Sequence, residues 1–103
     1  MTFDELIINI TQWADDKGIL VSDNAPKQSM KIMEELGETM GAILKGKKTD
    51  EVIDGIGDIF VTVIILSKQL GLDPTMCLES AWNEIKDRKG KNVNGTFIKE
   101  EEL

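Results

Sequence analysis

From Thr49 to Leu70 the sequence is apolar around most of a helix. Val52, Ile53, Ile56, Ile59, Phe60, Val63, Ile64 and Leu66 recur at helical spacing and cover well over half of its circumference. A helix apolar over so wide an arc is buried against several neighbours. The chain has few to offer, because its 103 residues fit one domain with no room for a second core. A chain of this size buries only about 65% of the surface its unfolded form exposes, so self-association supplies burial that one copy lacks. A homo-oligomer, dimer or tetramer, is the expectation.

Three further helical segments flank this one. The first is expected from Thr2 to Asp16, with Thr2 and Glu5 as a capping-box pair and Gly18 as the stop. The second starts near Pro26 and ends at Gly46, with Met33, Leu36, Met40, Ile43 and Leu44 as its apolar stripe. Thr49 is expected to cap the third. Asp73-Pro74 opens the fourth, which is expected to run to about Lys89. Past Gly90 the composition changes, and Asn94-Gly95 is a turn signal between two short apolar runs. A small hairpin and an extended arm both fit it. The expected fold is all-α, of four-helix-bundle type, with a helical domain over residues 1–90 and a C-terminal arm over 91–103.

Composition removes whole chemistries. Histidine and tyrosine are absent and cysteine occurs once, as Cys77. Ser-His-Asp and Cys-His catalysis, HExxH zinc sites and CxxC knuckles are therefore excluded. The net charge is −7, which disfavours nucleic acid and anionic membrane as partners. Apolar runs are too short to span a bilayer and no signal peptide opens the sequence. The expectation is a cytoplasmic protein whose chemistry lies in its acids.

Those acids are ordered. On the second helix, Glu34-Glu35-Leu36-Gly37-Glu38 places Glu35 and Glu38 three apart and Glu34 and Glu38 four apart, so that side chains converge. On the third, Glu51, Asp54 and Asp58 form one narrow stripe, the main break in the apolar surface. A plain reading exists: acids opposite an apolar stripe are usually a solvated face, and Lys31 is placed to pair with Glu35. Yet Asp54 and Asp58 repel at i,i+4, and no lysine or arginine lies between Thr49 and Ser67. Carboxylates beside so much apolar surface need a cation, a raised pKa or open solvent. Two acid clusters on consecutive antiparallel helices can face one another. An all-oxygen site suits Mg²⁺ or Mn²⁺ rather than zinc, and carboxylate-held magnesium usually serves a phosphate substrate.

The fourth helix ends in Asn83, Lys86, Arg88 and Lys89, with Lys91 beyond. Cations there favour the helix dipole. Together they could also clamp phosphates, and Asn83 could read a base or ribose.

Glu34-Glu35-Leu36-Gly37-Glu38 resembles the EExxE element of the all-α, MazG-like nucleoside triphosphate pyrophosphohydrolases. Asp54-Gly55-Ile56-Gly57-Asp58 resembles that family's second acidic element, and Asn83-Glu84-Ile85-Lys86 its later Asn/Lys element. The resemblance covers about residues 26 to 90. The second element is often ExxD; the position three before Asp58 is Gly55, whereas Glu51-Val52-Ile53-Asp54 also reads as ExxD, one turn earlier. The resemblance implies Mg²⁺-dependent hydrolysis of a nucleoside triphosphate to monophosphate and pyrophosphate, in dimers or tetramers. It implies Glu35, Glu38, Asp54 and Asp58 as metal ligands and Glu34 or Glu35 as the acid that orients water. Asn83, Lys86 and Arg88 would bind substrate. Apart from the resemblance, Gln28 and Lys31 are further candidates because a second helix starting near Pro26 sets them close to the acid cluster.

Two rival readings stand beside it. A non-enzymatic helical assembly module explains the third helix but leaves the acid stripe to chance. A related enzyme acting on another diphosphate, such as phosphoribosyl-ATP, shares the site but not the substrate. Gly41 to Lys48 nearly spells a P-loop, but Lys48 stands where Ser or Thr is needed, and a helix C-cap at Gly46 explains it better. Trp13 and Trp82 are expected in the core rather than stacked on a base, and Cys77 is expected to be a small packed residue.

Overall fold

The computed structural model describes residues Met1–Leu103 as four helices and one hairpin. Helix α1 spans Phe3–Asp16, and the Thr2 hydroxyl accepts the Glu5 backbone N–H at 3.1 Å. A linker with a 3₁₀ turn at Ser22–Asn24 leads to α2, Ala25–Leu44. Gly46, at φ +66°, reverses the chain into α3, Thr49–Gln69. Thr49 is the first residue of α3 rather than its cap; Lys48 holds the cap position, and no side chain bonds the first turn. The Asp73 carboxylate accepts the Thr75 N–H at 3.0 Å and starts α4, Pro74–Ile85.

Helix α4 ends at Ile85, a turn short of the expected Lys89, because the chain turns into a hairpin. Strands β1, Gly90–Val93, and β2, Thr96–Lys99, pair antiparallel, with Gly90 opposite Lys99 and Val93 opposite Thr96. Asn94 and Gly95 both have positive φ, 52° and 86°. That is the two-residue turn whose twist matches the paired strands, and it resolves the C-terminal arm as a hairpin.

Helices α2 and α3 form an antiparallel pair, tied where the Gln28 amide donates to the Thr62 carbonyl at 3.1 Å. Helix α1 lies on α3, with Phe3 and Phe60 in edge-to-face contact at 5.9 Å between ring centroids. The Gln69 amide donates to the Ile19 carbonyl at 3.1 Å and fastens the α1–α2 linker to the end of α3. Helix α4 leaves α3 at a bend of 105°, so within one copy only α1, α2 and α3 lie side by side. No single helix is long and apolar enough to cross a membrane.

Helix α2 is turned opposite to its apolar pattern. Its less exposed positions are Ala25, Gln28, Ile32, Glu35, Thr39, Gly41 and Ala42, a row that apart from Ile32 is small or polar and that faces α3. The apolar stripe points away from the chain: Met33 is 74% exposed and Met40 60%, with Leu36, Ile43 and Leu44 also exposed. The first half of α3 behaves likewise, leaving Ile53, Ile56 and Phe60 open, while Ile64 and Ile65 are buried. Trp13 and Trp82, expected in the core, are 51% and 58% exposed.

The whole chain shares this openness. Nine residues are buried and the accessible surface is 7892 Å². A folded monomer of 11.5 kDa exposes about 5,800 Å² by the usual size scaling, so about 2,100 Å² is in excess. The radius of gyration is 16.3 Å, against about 13 Å for a compact chain of this length.

Candidate functional site

The polar face of α2 meets α3 in a cleft of about 240 Å³. Five carboxylates line it: Glu35 and Glu38 from α2, and Glu51, Asp54 and Asp58 from α3. The sequence accounts for this. Glu35, Glu38 and Ala42 recur along one face of α2, and Glu51, Asp54 and Asp58 along one face of α3. The antiparallel turn at Gly46 brings the two faces together.

The floor is made by Thr39 and Gly55. An added Cβ on Gly55 would stand 2.5 Å from Thr39 Oγ1. The glycine thus lets the two backbones approach under the acids. Thr39 is buried, and its hydroxyl oxygen has no hydrogen-bond partner. A buried hydroxyl without a partner costs about 1–3 kcal/mol unless some ligand satisfies it.

No lysine or arginine lines the cleft. The donors are therefore five carboxylates and one orphaned hydroxyl, all oxygen, and this set fits a hard divalent cation such as Mg²⁺ or Mn²⁺. In their present rotamers no three carboxylates gather tightly enough to enclose an ion. Glu38, Glu51, Asp54 and Asp58 stand on exposed positions, where other rotamers are open to them. Glu35 is the half-buried member.

Of the residues singled out in the sequence, Glu35, Glu38, Asp54 and Asp58 come together. Glu51, which the sequence leaves as a secondary alternative, lines the same cleft. Its signal was the earlier ExxD register, Glu51 to Asp54. Glu34 does not belong to the cleft; it points outward and pairs with Lys31 at 4.0 Å, both exposed. Lys31 therefore meets Glu34 rather than Glu35 and also lies outside. Gln28 serves the α2–α3 pairing instead. Asn83, Lys86 and Arg88 line no part of the cleft in the same chain, and Arg88 pairs with Glu84 at 3.9 Å. Cys77 is exposed rather than packed.

Over 72 residues the chain is 42% identical to an uncharacterized 18.2 kDa protein of the rep–hol intergenic region of Haemophilus phage HP1, strain HP1c1. The match covers 70% of this chain and 44% of the phage protein, so the chain spans less than half the length of the curated relative it matches. No family model matches the chain, and no solved structure matches it.

Proposed function

We propose that the chain is a Mg²⁺-dependent pyrophosphohydrolase of nucleoside triphosphates that works as a homo-oligomer. The observation that carries this reading is the meeting of Glu35 and Glu38 with Glu51, Asp54 and Asp58 in a cleft that no lysine or arginine lines, over an unpartnered Thr39 hydroxyl. A like-charge cluster repels itself and becomes favourable once a cation neutralises it.

Glu38, Glu51, Asp54 and Asp58 would hold the ion, with Thr39 as a neutral oxygen beside them. A bound Mg²⁺ or Mn²⁺ supplies charge neutralisation at the phosphates and polarises the phosphorus. Glu35, the half-buried acid, would accept a proton from water and orient it. Water adds to the α-phosphorus, the bond from that phosphorus to the α–β bridging oxygen breaks, and monophosphate and pyrophosphate leave. With no histidine in the chain, a carboxylate is the available general base.

Self-association is supported by the reversed α2, with its exposed Met33, Leu36 and Met40, and by the excess accessible surface. The test of the reaction is pyrophosphate release from a panel of ribo- and deoxyribonucleoside triphosphates, with Mg²⁺, Mn²⁺ or chelator. Metal-dependent release with a monophosphate product is expected. Silence across the panel, with no Mg²⁺-induced rise in melting temperature, would instead favour an assembly module.

A further inference from the structure

We propose that Lys45, Lys47 and Lys48, on the turn between α2 and α3, hold the pyrophosphate half of a triphosphate whose α-phosphorus lies over the acid cleft. Naming that substrate rests on the reaction proposed above, whereas the anion site itself does not. Three of the 12 basic side chains stand within four consecutive residues, and their turn lies at one end of the cleft. Ala42 and Glu51 line the cleft at that end. Lys45 follows Ala42 by three residues and Lys48 precedes Glu51 by three, each about 4.5 Å along its helix axis. Lys45 also stands seven residues after Glu38, on the same face of α2. A lysine's flexible four-carbon stem covers such a distance.

Local structure at this turn runs against stability. Lys48 holds the N-cap of α3, where Ser, Thr, Asp or Asn is preferred, and no side chain bonds the first turn. Lys47 and Lys48 stand at the positive end of the α3 dipole, where a cation is unfavourable. The chain's two ion pairs, Lys31–Glu34 and Arg88–Glu84, use none of the three lysines. Cations thus collect where a helix end already favours an anion, and no acid of the chain pairs with them. Gly46-Lys47-Lys48 shares with a P-loop a lysine at the start of a helix, without its strand or its Ser/Thr. A separate observation points to a ligand in the adjoining cleft: Thr39 is 5% exposed and its hydroxyl has no partner.

Charge and polarity give the occupant a direction. Five carboxylates line the cleft, and one divalent ion does not neutralise both them and a polyphosphate. The turn supplies three further positive charges. Asp54 and Asp58 also edge a cavity of about 440 Å³ lined by Phe3, Leu6, Ile10 and Ile53, displaced along α3 away from the turn. The site is basic at one end and apolar at the other, so a ligand with a single polyanionic end lies with that end at the turn. As water adds to the α-phosphorus and gives its proton to a cleft carboxylate, the bond to the α–β bridging oxygen breaks. Its electron pair leaves on the pyrophosphate, and the added charge develops beside the three ammonium groups.

Binding of inorganic tripolyphosphate to the full chain with Mg²⁺, read by calorimetry, tests the anion site without turnover. Wild type is compared with Lys45→Ala/Lys48→Ala and with Lys17→Ala/Lys68→Ala, which removes the same charge at the far ends of α1 and α3. Affinity should fall about tenfold in the turn variant, as for two exposed charge contacts, and less than about twofold in the control. Lys48→Ser, which restores a capping residue, should raise the melting temperature while weakening binding. A fall in both would mark Lys48 as structural and overturn its assignment. No binding by wild type, an equal loss in both double variants, or full affinity in the turn variant overturns the proposal. Where wild type hydrolyses triphosphates, the turn variant should lower kcat/KM about tenfold for every base alike, because the lysines meet phosphate alone. A base-dependent loss overturns the assignment. Lysine-dependent tripolyphosphate binding without pyrophosphate release from any nucleotide overturns the proposed reaction and leaves the anion site standing.

Discussion

Thr39 and Gly55 meet beneath the acid cleft so closely that a methyl group on Gly55 would lie 2.5 Å from the Thr39 hydroxyl oxygen. Alanine at 55 gains about 1 kcal/mol of helix propensity and loses about 1–3 kcal/mol to overpacking. Gly55→Ala is expected to lower the melting temperature, and Gly55→Ala/Thr39→Ala to recover most of the loss. Gly57, one residue pair along, has open space where its Cβ would stand. Gly57→Ala is expected to stabilise by about 0.5–1 kcal/mol, so the two alanines should move in opposite directions in one thermal melt series.

The orphaned Thr39 hydroxyl separates a structural cost from a binding role. Thr39→Val keeps the shape and removes the unpaired group, which should stabilise the metal-free protein by about 1 kcal/mol. The same substitution should shrink the rise in melting temperature on adding Mg²⁺, read by titrating the ion against each protein. An unchanged rise would remove Thr39 from the ligand set.

Glu38→Gln removes a charge with little change of shape. Turnover should vanish, while metal-free stability should rise by only about 0.3 kcal/mol because the side chain is exposed. Glu34→Gln should leave turnover near wild type, since Glu34 faces away from the cleft and pairs with Lys31. Side-by-side pyrophosphate assays check both.

Met33 and Met40 point away from their own chain. Met33→Lys/Met40→Lys should leave the fold of one copy intact and abolish self-association, read by sedimentation with circular dichroism as the control. Helicity retained with unchanged mass would show that this stripe is not the contact.

At the hairpin, a side chain on Gly90 would collide with the Ile98 carbonyl and stand 2.5 Å from the Phe97 ring. Gly90→Val should unpair β1 from β2 and leave the helices untouched. Loss of hydrogen-exchange protection confined to residues 90–99 is the expected pattern.

Most helix boundaries were legible from punctuation: Thr2, Gly46, Asp73 and the Asn94-Gly95 turn act as their chemistry dictates, whereas Thr49 is a first-turn residue rather than a cap and α4 stops at Ile85, short of Lys89. The convergence of Glu35, Glu38, Asp54 and Asp58 was legible too, because i,i+3 and i,i+4 spacing fixes helix faces. Orientation was not. Periodicity marks an apolar face without naming what covers it, and α2 turns its small polar row inward to α3. That is why Glu35 lies in the cleft rather than on a solvated face, and why Glu34, its neighbour in sequence, lies outside. Trp13 and Trp82 were misplaced for the same reason: large aromatics seek burial, but a single chain need not provide it. The bend after α3 depends on packing and left no mark in the sequence that would have held Lys86 away from the acids.

The thin interior of one copy has a calorimetric meaning. Unfolding raises the heat capacity as apolar surface is newly wetted, by about 12–15 cal/mol/K per residue for ordinary domains. With 7892 Å² still exposed, one copy buries about 8,800 Å² on folding, against about 10,900 Å² for a compact chain of its mass. About a fifth of the full increment would thus belong to the encounter between copies, and the melting midpoint would climb with protein concentration, as for any fold stabilised by mass action.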